Sequence, residues 1–209
     1  MKILALSDLH SDEETLDRLR AISAVRKFDA VLFCGDLTNR GPISYAEEVI
    51  SLFPNSYAVF GNMDSKEVAE RLEELGVSVH AKKVKLGEWN LVGLGGSNPT
   101  PFRTPNEFSE DKIEEILKGA EVDEFSIVLS HPPPHGVFDA VGSLHVGSTA
   151  LRKMVAERKP IMVICGHIHE YEGKQVVDKT LVVKLAPAER LRAAEITITD
   201  SLSVEFVDL

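Results

Sequence analysis

Seven polar side chains stand at the ends of five short apolar runs in this chain, and all seven are of types that bind divalent metals. They are Asp8, His10, Asp36, Asn62, His131, His167 and His169, in the segments SDLH, CGDLTNRG, GNMD, SHPPP and CGHIH. Oxygen and imidazole donors without thiolate suit Mn, Fe, Ni, Co or Zn. Seven donors are too many for one tetrahedral ion, so the pattern predicts a two-metal hydrolase.

The apolar runs predict the strands that deliver these donors. They are near-continuous and rich in β-branched or aromatic residues, as in strands buried on both faces, and they cover residues 3–6, 30–34, 57–60, 126–129 and 161–165. Amphipathic segments between them predict helices over residues 14–26, 45–53, 66–75, 110–117 and 148–158. In open α/β sheets ligands collect beyond the carboxyl ends of parallel strands, so we expect the donors to meet at one edge.

A second kind of pattern, shorter and alternating, predicts antiparallel meanders over residues 77–79, 84–86, 90–94, 181–185, 195–199 and 203–207. The Pro-, Gly- and Asn-rich stretch 95–106 is too long for a simple turn and predicts a surface loop near the site. Together the two patterns predict a mixed α/β (α+β mixed) fold, with residues 1–209 forming a single domain.

Composition narrows the function classes. The chain carries 23 basic and 33 acidic residues, a formal net charge of -10, which argues against extended nucleic-acid binding. A small phosphorylated substrate, such as a nucleotide or a short strand end, stays possible because metals can supply the local positive charge. The first apolar run is too short for a signal peptide, and no segment predicts a membrane span. Two cysteines cannot build a disulfide framework, so we expect a cytoplasmic protein without a membrane partner.

The five motifs, in this order from Asp8 to His169, resemble the calcineurin-like metallophosphoesterases. The stretch HPPPHG…D…HVGS…LR…ICGHIHE is similar to a prokaryotic subgroup of small, stand-alone phosphoesterases. The resemblance implies a four-layer αββα sandwich, in which two packed mixed β-sheets are flanked by helices.

The same resemblance implies two divalent transition-metal ions and assigns their ligands. One ion would be held by Asp8, His10, Asp36 and His169. The other would be held by Asp36, Asn62, His131 and His167, so that Asp36 bridges. Two ions about 3.5–4 Å apart can acidify a shared water and clamp an in-line displacement. The implied reaction is hydrolysis of a phosphodiester or activated phosphomonoester by attack of a metal-bridging hydroxide, with Asp36 and Asn62 at the catalytic centre.

Two positions depart from the family pattern. Met63 replaces a histidine that protonates the leaving group in many relatives, and Asn39 replaces the aspartate that orients this histidine in the phosphoprotein-phosphatase branch. A thioether cannot donate a proton. Poor leaving groups should therefore react slowly unless another acid takes over. His145 and His135 are the candidates, although His135 could simply belong to a proline-stiffened loop and His145 could pack against or cap the helix near residue 148.

Arg40 corresponds to the arginine that contacts substrate phosphate in the phosphatase branch, and its planar fork suits that role. With Asn39 and His145 it forms the predicted substrate-binding set, the alternative being a solvent-exposed loop arginine. Asp64 could orient a ligand or cap the helix that follows it.

Two other functions fit the same residues. One is a nuclease that acts on short nucleic-acid ends, although no basic groove supports it. The other is a non-catalytic scaffold or regulatory protein of the same fold; relatives of that kind usually lose ligands, whereas all seven positions are intact here. The strand-rich tail also suggests a possible homodimer through edge-to-edge pairing.

Overall fold

The computed structural model describes all 209 residues. Its helices are Glu13–Val25 (α1), Ile43–Ser51 (α2), Lys66–Glu74 (α3), Glu110–Gly119 (α4) and Thr149–Arg158 (α5). Four of them begin at a side chain that accepts a hydrogen bond from a backbone N–H of the first turn, namely Asp12, Ser65, Ser109 and Ser148. Such a cap contributes about 1 kcal/mol and explains why these helices begin where the amphipathic patterns begin.

The first sheet is built from both ends of the chain. Its strands are Lys2–Leu6 (β1), Ala30–Cys34 (β2), Ser56–Val59 (β3), Arg192–Ile198 (β12) and Leu202–Asp208 (β13), in the order β13-β12-β1-β2-β3. β1, β2 and β3 run parallel to one another, and β12 and β13 continue the sheet with antiparallel pairing.

The second sheet has six strands. They are Lys83–Leu86 (β4), Trp89–Leu94 (β5), Ser126–Ser130 (β6), Met162–Cys165 (β9), Gly173–Val177 (β10) and Thr180–Lys184 (β11), in the order β10-β11-β9-β6-β5-β4. The four central strands are parallel and the two edge strands antiparallel. A separate two-stranded hairpin joins Ala140–Val141 (β7) to Leu144–His145 (β8).

Three apolar clusters show how these elements are layered. One lies between the two sheets, where Ile3 and Leu32 of the first sheet share a cluster with Ile127 of the second. The alternate residues of the first sheet, such as Phe33, pack against α1, α2 and α3. Val128 and the other alternate residues of the second sheet pack against α4 and α5. The four-layer αββα sandwich is therefore confirmed, and the strands read as continuous apolar runs because both of their faces are buried.

The predicted meanders are only partly correct. β4 pairs antiparallel with β5, and β12 with β13, as predicted. β5 and β11 each have an antiparallel neighbour on one side, but they also pair in parallel with β6 and β9, which the meander prediction did not include. Residues 77–79 make only an isolated bridge, between Ser78 and Ala58. β5 and β11 are buried almost throughout, as central strands with a neighbour on each side are, and their residue pattern carries no information on strand direction. β10 escaped prediction because its exposed edge carries Gly, Lys and Gln.

Strand register brings the ends of the parallel strands to one level. Leu6 lies opposite Phe33, and Cys34 lies opposite Val59. In the second sheet, Ser130 pairs with Cys165. The loops that follow β1, β2, β3, β6 and β9 consequently leave the sandwich at the same edge.

β13 lies at an open edge of the first sheet, as edge-to-edge pairing would require, and the homodimer stays a prediction. None of the helices is long and apolar enough to cross a membrane.

Candidate metal centre

The seven predicted donors gather at the edge where the two sheets meet, in two groups. The first group consists of Asp8, His10 and His169. His169 Nε2 lies 3.3 Å from both His10 Nε2 and Asp8 Oδ1, and His10 Nε2 lies 3.8 Å from Asp8 Oδ1. Two ring nitrogens and a carboxylate oxygen thus face one another.

The second group consists of Asp36, His131 and His167, with Asn62 beside them. His131 Nε2 lies 2.9 Å from Asn62 Oδ1 and 3.4 Å from Asp36 Oδ2. Asp36 Oδ2 is also 4.0 Å from His10 Nε2 of the first group. The Asp36 carboxylate therefore faces both groups at once.

The donor atoms of the second group are oriented by bonds that use the other end of each side chain. His131 Nδ1 lies 2.7 Å from the carbonyl oxygen of Cys34, which can only accept, so Nδ1 carries a hydrogen and Nε2 is the nitrogen that would bind a metal ion once it loses its own proton. Asn62 donates its amide N–H to Thr104 Oγ1 at 3.1 Å, which turns Oδ1 toward His131.

In the carboxylates of Asp8 and Asp36, likewise, one oxygen is bonded to the protein backbone and the other is not. Asp8 Oδ2 accepts the backbone N–H of His167 at 3.0 Å, and Asp36 Oδ1 accepts that of Met63 at 2.7 Å. The remaining oxygens, Asp8 Oδ1 and Asp36 Oδ2, face only histidine nitrogens. Lone pairs converging in a buried place require a cation, so this donor set fits two transition-metal ions.

The buried carboxylates and histidines shift one another's pKa values. Burial lowers the pKa of His131, but the Asp36 carboxylate opposes burial and raises it to about 9. Burial, together with the charge on His131, lowers the pKa of His167 to about 3. Burial raises the pKa of Asp8, but His169 and His131 outweigh it and hold that pKa below its usual range.

The backbone at these loops is strained. Four of the donor residues have positive φ angles, between 49° and 71°: Asp8, His10, Asp36 and His167. Residues in the left-handed region cost of order 1 kcal/mol or more each and persist where the surroundings over-determine them, commonly at functional sites.

Glycines allow the loops to approach closely. A Cβ on Gly61 would lie 2.0 Å from Asp36 Oδ1, and one on Gly166 would lie 1.8 Å from Ser7 Oγ and 2.5 Å from Asp8 Oδ2. A side chain at either position would occupy the space that the carboxylates need.

Asp64 ties two of the loops together. Its buried carboxylate accepts from Gly61 N at 2.8 Å, from Thr38 N at 2.8 Å and from the Thr38 hydroxyl at 2.9 Å. Ser65, rather than Asp64, caps α3. Of the two predicted roles for Asp64, the structure supports the orientation of ligand loops.

His145 lies on β8 with about half of its side chain exposed. Its Nδ1 is 2.6 Å from Oδ1 of the buried Asp139, whose Oδ2 accepts the N–H groups of Gly136 and Gly147. His135 is half-buried, and its ring centroid lies 5.6 Å from that of His145. Ser148 caps α5, so His145 does not.

The substrate candidates beside the centre are exposed. Arg40 and Asn39 both lie at the surface of the loop that follows Asp36. The Arg40 N–H donates to the carbonyl oxygen of Met63 at 2.9 Å, and no carboxylate lies within ion-pair distance of its guanidinium.

Sequence reasoning missed Asp139, Thr104 and Lys184. Lys184 is fully buried, donates to the carbonyl oxygen of Leu185 at 2.6 Å and acts on Asp8 through its charge. Burial lowers its pKa. The aspartate of the stretch HPPPHG…D…HVGS is Asp139, and its place before His145, with a Gly142 turn typical of a hairpin between them, is the sequence signal for their contact.

Comparisons with known proteins agree with this geometry. A family profile that describes calcineurin-like phosphoesterases matches residues 1–171. The match confirms the resemblance drawn from the five motifs.

Two relatives and one solved structure show what the chain is similar to. An uncharacterised protein of Methanocaldococcus jannaschii is 34% identical over 201 residues, which cover 90% of this chain and 88% of its own. A 3′,5′-cyclic-nucleotide phosphodiesterase of Nostoc is 26% identical and covers 84% of this chain and 74% of its own. A dimetal phosphatase from Danio rerio shares the fold, with a TM-score of 0.67, 12% identity and coverage of 99% and 95%.

The close approach at Gly61 generates a prediction. We expect Gly61→Ala to push Asp36 out of place and to weaken manganese binding at least about tenfold, measured by isothermal titration calorimetry. Gly119→Ala is the matched control, because a Cβ there meets nothing within 4 Å. Wild-type manganese affinity in Gly61→Ala would contradict the role given to this contact.

Proposed function

Since the chain belongs to the calcineurin-like phosphoesterase family, we propose that it is a dinuclear metal-dependent phosphoesterase. Its substrate would be a phosphodiester or an activated phosphomonoester, and residues 1–209 would act as one domain. One observation carries the proposal: Asp36 Oδ2 lies 3.4 Å from His131 Nε2 and 4.0 Å from His10 Nε2, so one carboxylate oxygen faces both donor groups.

The seven donors would hold two ions between them. Asp8, His10 and His169 would hold one ion, and Asn62, His131 and His167 would hold the other, with Asp36 shared. When bound, such a pair of ions supplies an acidified water and stabilises the charge that develops on phosphoryl oxygens. The protein fixes the donors in advance, through the bond of His131 to Cys34 and that of Asn62 to Thr104.

His145 is the residue that we assign to protonate the leaving group. Asp139 is buried and accepts from His145 Nδ1, so the doubly protonated ring would give up its proton from Nε2, the nitrogen that Asp139 does not contact. The segment that carries both residues starts directly after His131 and is anchored by the Asn98 amide, which donates to the Val146 carbonyl oxygen. His135 is the second candidate, because its ring contacts that of His145.

Arg40 and Asn39 would contact the substrate phosphate. Both are exposed on the loop after Asp36, and the Arg40 guanidinium has no carboxylate partner. A guanidinium left free beside a metal pair is well shaped for a bidentate grip on phosphate oxygens.

The proposal predicts metal-dependent hydrolysis of bis(p-nitrophenyl) phosphate. Chelated protein should be inactive, and manganese should restore activity as two ions bind per chain. Asp36→Asn should lower kcat at least about a hundredfold, because it removes the charge that faces both groups. Asp200→Asn, which changes an exposed aspartate in the same way, should match wild type. No metal binding and no hydrolysis would instead favour the scaffold function.

Leaving-group dependence tests His145. In His145→Ala, hydrolysis of a dinucleoside phosphate, whose leaving group is an alkoxide, should fall about 10²–10⁴-fold. Hydrolysis of bis(p-nitrophenyl) phosphate should change little, since p-nitrophenolate needs no acid. Asp139→Asn should show a smaller effect with the same selectivity. Equal rates for wild type and His145→Ala on both esters would exclude His145 as the acid. The same comparison with His135→Ala would then test whether His135 is the acid.

A further inference from the structure

An open cavity of about 380 Å³ lies next to the proposed metal centre. Its walls are formed by Arg40, Ser65, Lys66, Glu67, Arg103 and Pro105. Three of these side chains are basic and one is acidic, and none is a large apolar group. A cavity of this composition suits a hydrated anion rather than an apolar part of a ligand.

The three basic side chains are exposed and have no carboxylate partner. The acidic residues of this protein outnumber the basic ones by ten, and six of the ten arginines form ion pairs. Two of the four remaining arginines, Arg40 and Arg103, meet in this cavity. Three basic side chains without an ion pair are thus grouped around one cavity, against a single acidic one, Glu67.

Each wall of the cavity is attached to a residue of the metal centre. Arg40 donates its N–H to Met63, whose own N–H donates to Asp36 Oδ1. Arg103 adjoins Thr104, which accepts the amide hydrogen of Asn62 at 3.1 Å. Ser65 follows Asn62 by three residues, so their Cα atoms are at most about 11 Å apart.

The start of α3 does not account for the anion site by itself. The Ser65 hydroxyl caps α3 by accepting the backbone N–H of Val68. The Glu67 carboxylate accepts hydrogen bonds from the Glu67 backbone N–H and from the Ser65 hydroxyl, and these bonds lower the pKa of Glu67. These groups are already engaged, so the binding capacity lies in the three basic side chains.

We propose that this cavity binds a second phosphate group of the substrate, while the scissile phosphate lies at the metal centre. This inference rests on the proposed function and narrows it. The substrate class becomes phosphoesters or phosphoanhydrides that carry a second phosphate group. Arg40 lines the cavity and follows Asp36 by four residues, and Lys66 and Arg103 select for the second anion.

Matched non-hydrolysable probes test the inference. Propane-1,3-bisphosphonate and hexane-1,6-bisphosphonate carry a second anion that propylphosphonate lacks. In calorimetric titrations of the manganese-loaded protein, we expect the better bisphosphonate to bind about tenfold or more tightly than propylphosphonate, as charge-assisted hydrogen bonds provide. Raising the salt concentration should shrink this advantage, because the groups are exposed.

Charge-removing variants locate the effect. The double variant Lys66→Gln, Arg103→Gln should bind bisphosphonate and monophosphonate with similar affinity. The matched double variant Lys27→Gln, Lys85→Gln removes two other exposed lysines without carboxylate partners and should keep the wild-type difference.

Two results would overturn the inference: equal affinities for the two probe types in wild-type protein, or an undiminished bisphosphonate advantage in Lys66→Gln, Arg103→Gln. Neither result would change the rate of manganese-dependent hydrolysis of bis(p-nitrophenyl) phosphate. If that hydrolysis is absent, the proposed function is overturned instead.

Discussion

Burial of three carboxylates at one sheet edge is the constraint on which the centre depends. Asp8, Asp36 and Asp64 are almost completely inaccessible to solvent, and a buried charge must be compensated. Asp64 is compensated by N–H and O–H donors from two loops, although burial and Asp36 still raise its pKa to about 7. Asp8 and Asp36 each have one oxygen bonded to a backbone N–H and the other directed at histidine nitrogens. That second oxygen and the histidine nitrogens around it form the place where a metal ion would be held.

The rest of the local structure follows from holding these charges close together. The carboxylates come from the first sheet, whereas three of the histidines come from the second, so the apolar core between the sheets sets their separation. Bonds across the gap, such as His131 to the Cys34 carbonyl oxygen, fix the alignment. Left-handed backbone at Asp8 and Asp36 is the strain that this arrangement carries. A rigid donor set of this kind binds ions without first reorganising.

The strands of the first sheet and the donor residues that follow them could be predicted from the sequence, because strand ends and ligand types are local features. The runs before Asp8 and Asp36 are continuous and apolar because their strands are buried on both faces. Pairing direction could be predicted only in part, since β5 and β11 each have one antiparallel and one parallel neighbour, and an apolar run does not identify its neighbouring strands. The pairing of Asp139 with His145 and the cavity between Arg40 and Arg103 depend on how separate loops fold against each other.

The central claim is that one chain holds two metal ions that share Asp36. A crystal structure of the manganese-loaded protein, with anomalous scattering recorded at the manganese edge, tests it directly. We predict two anomalous peaks, one within the Asp8, His10 and His169 group and one within the Asn62, His131 and His167 group, with Asp36 contacting both. A single peak, or two peaks of which Asp36 contacts only one, would contradict the account.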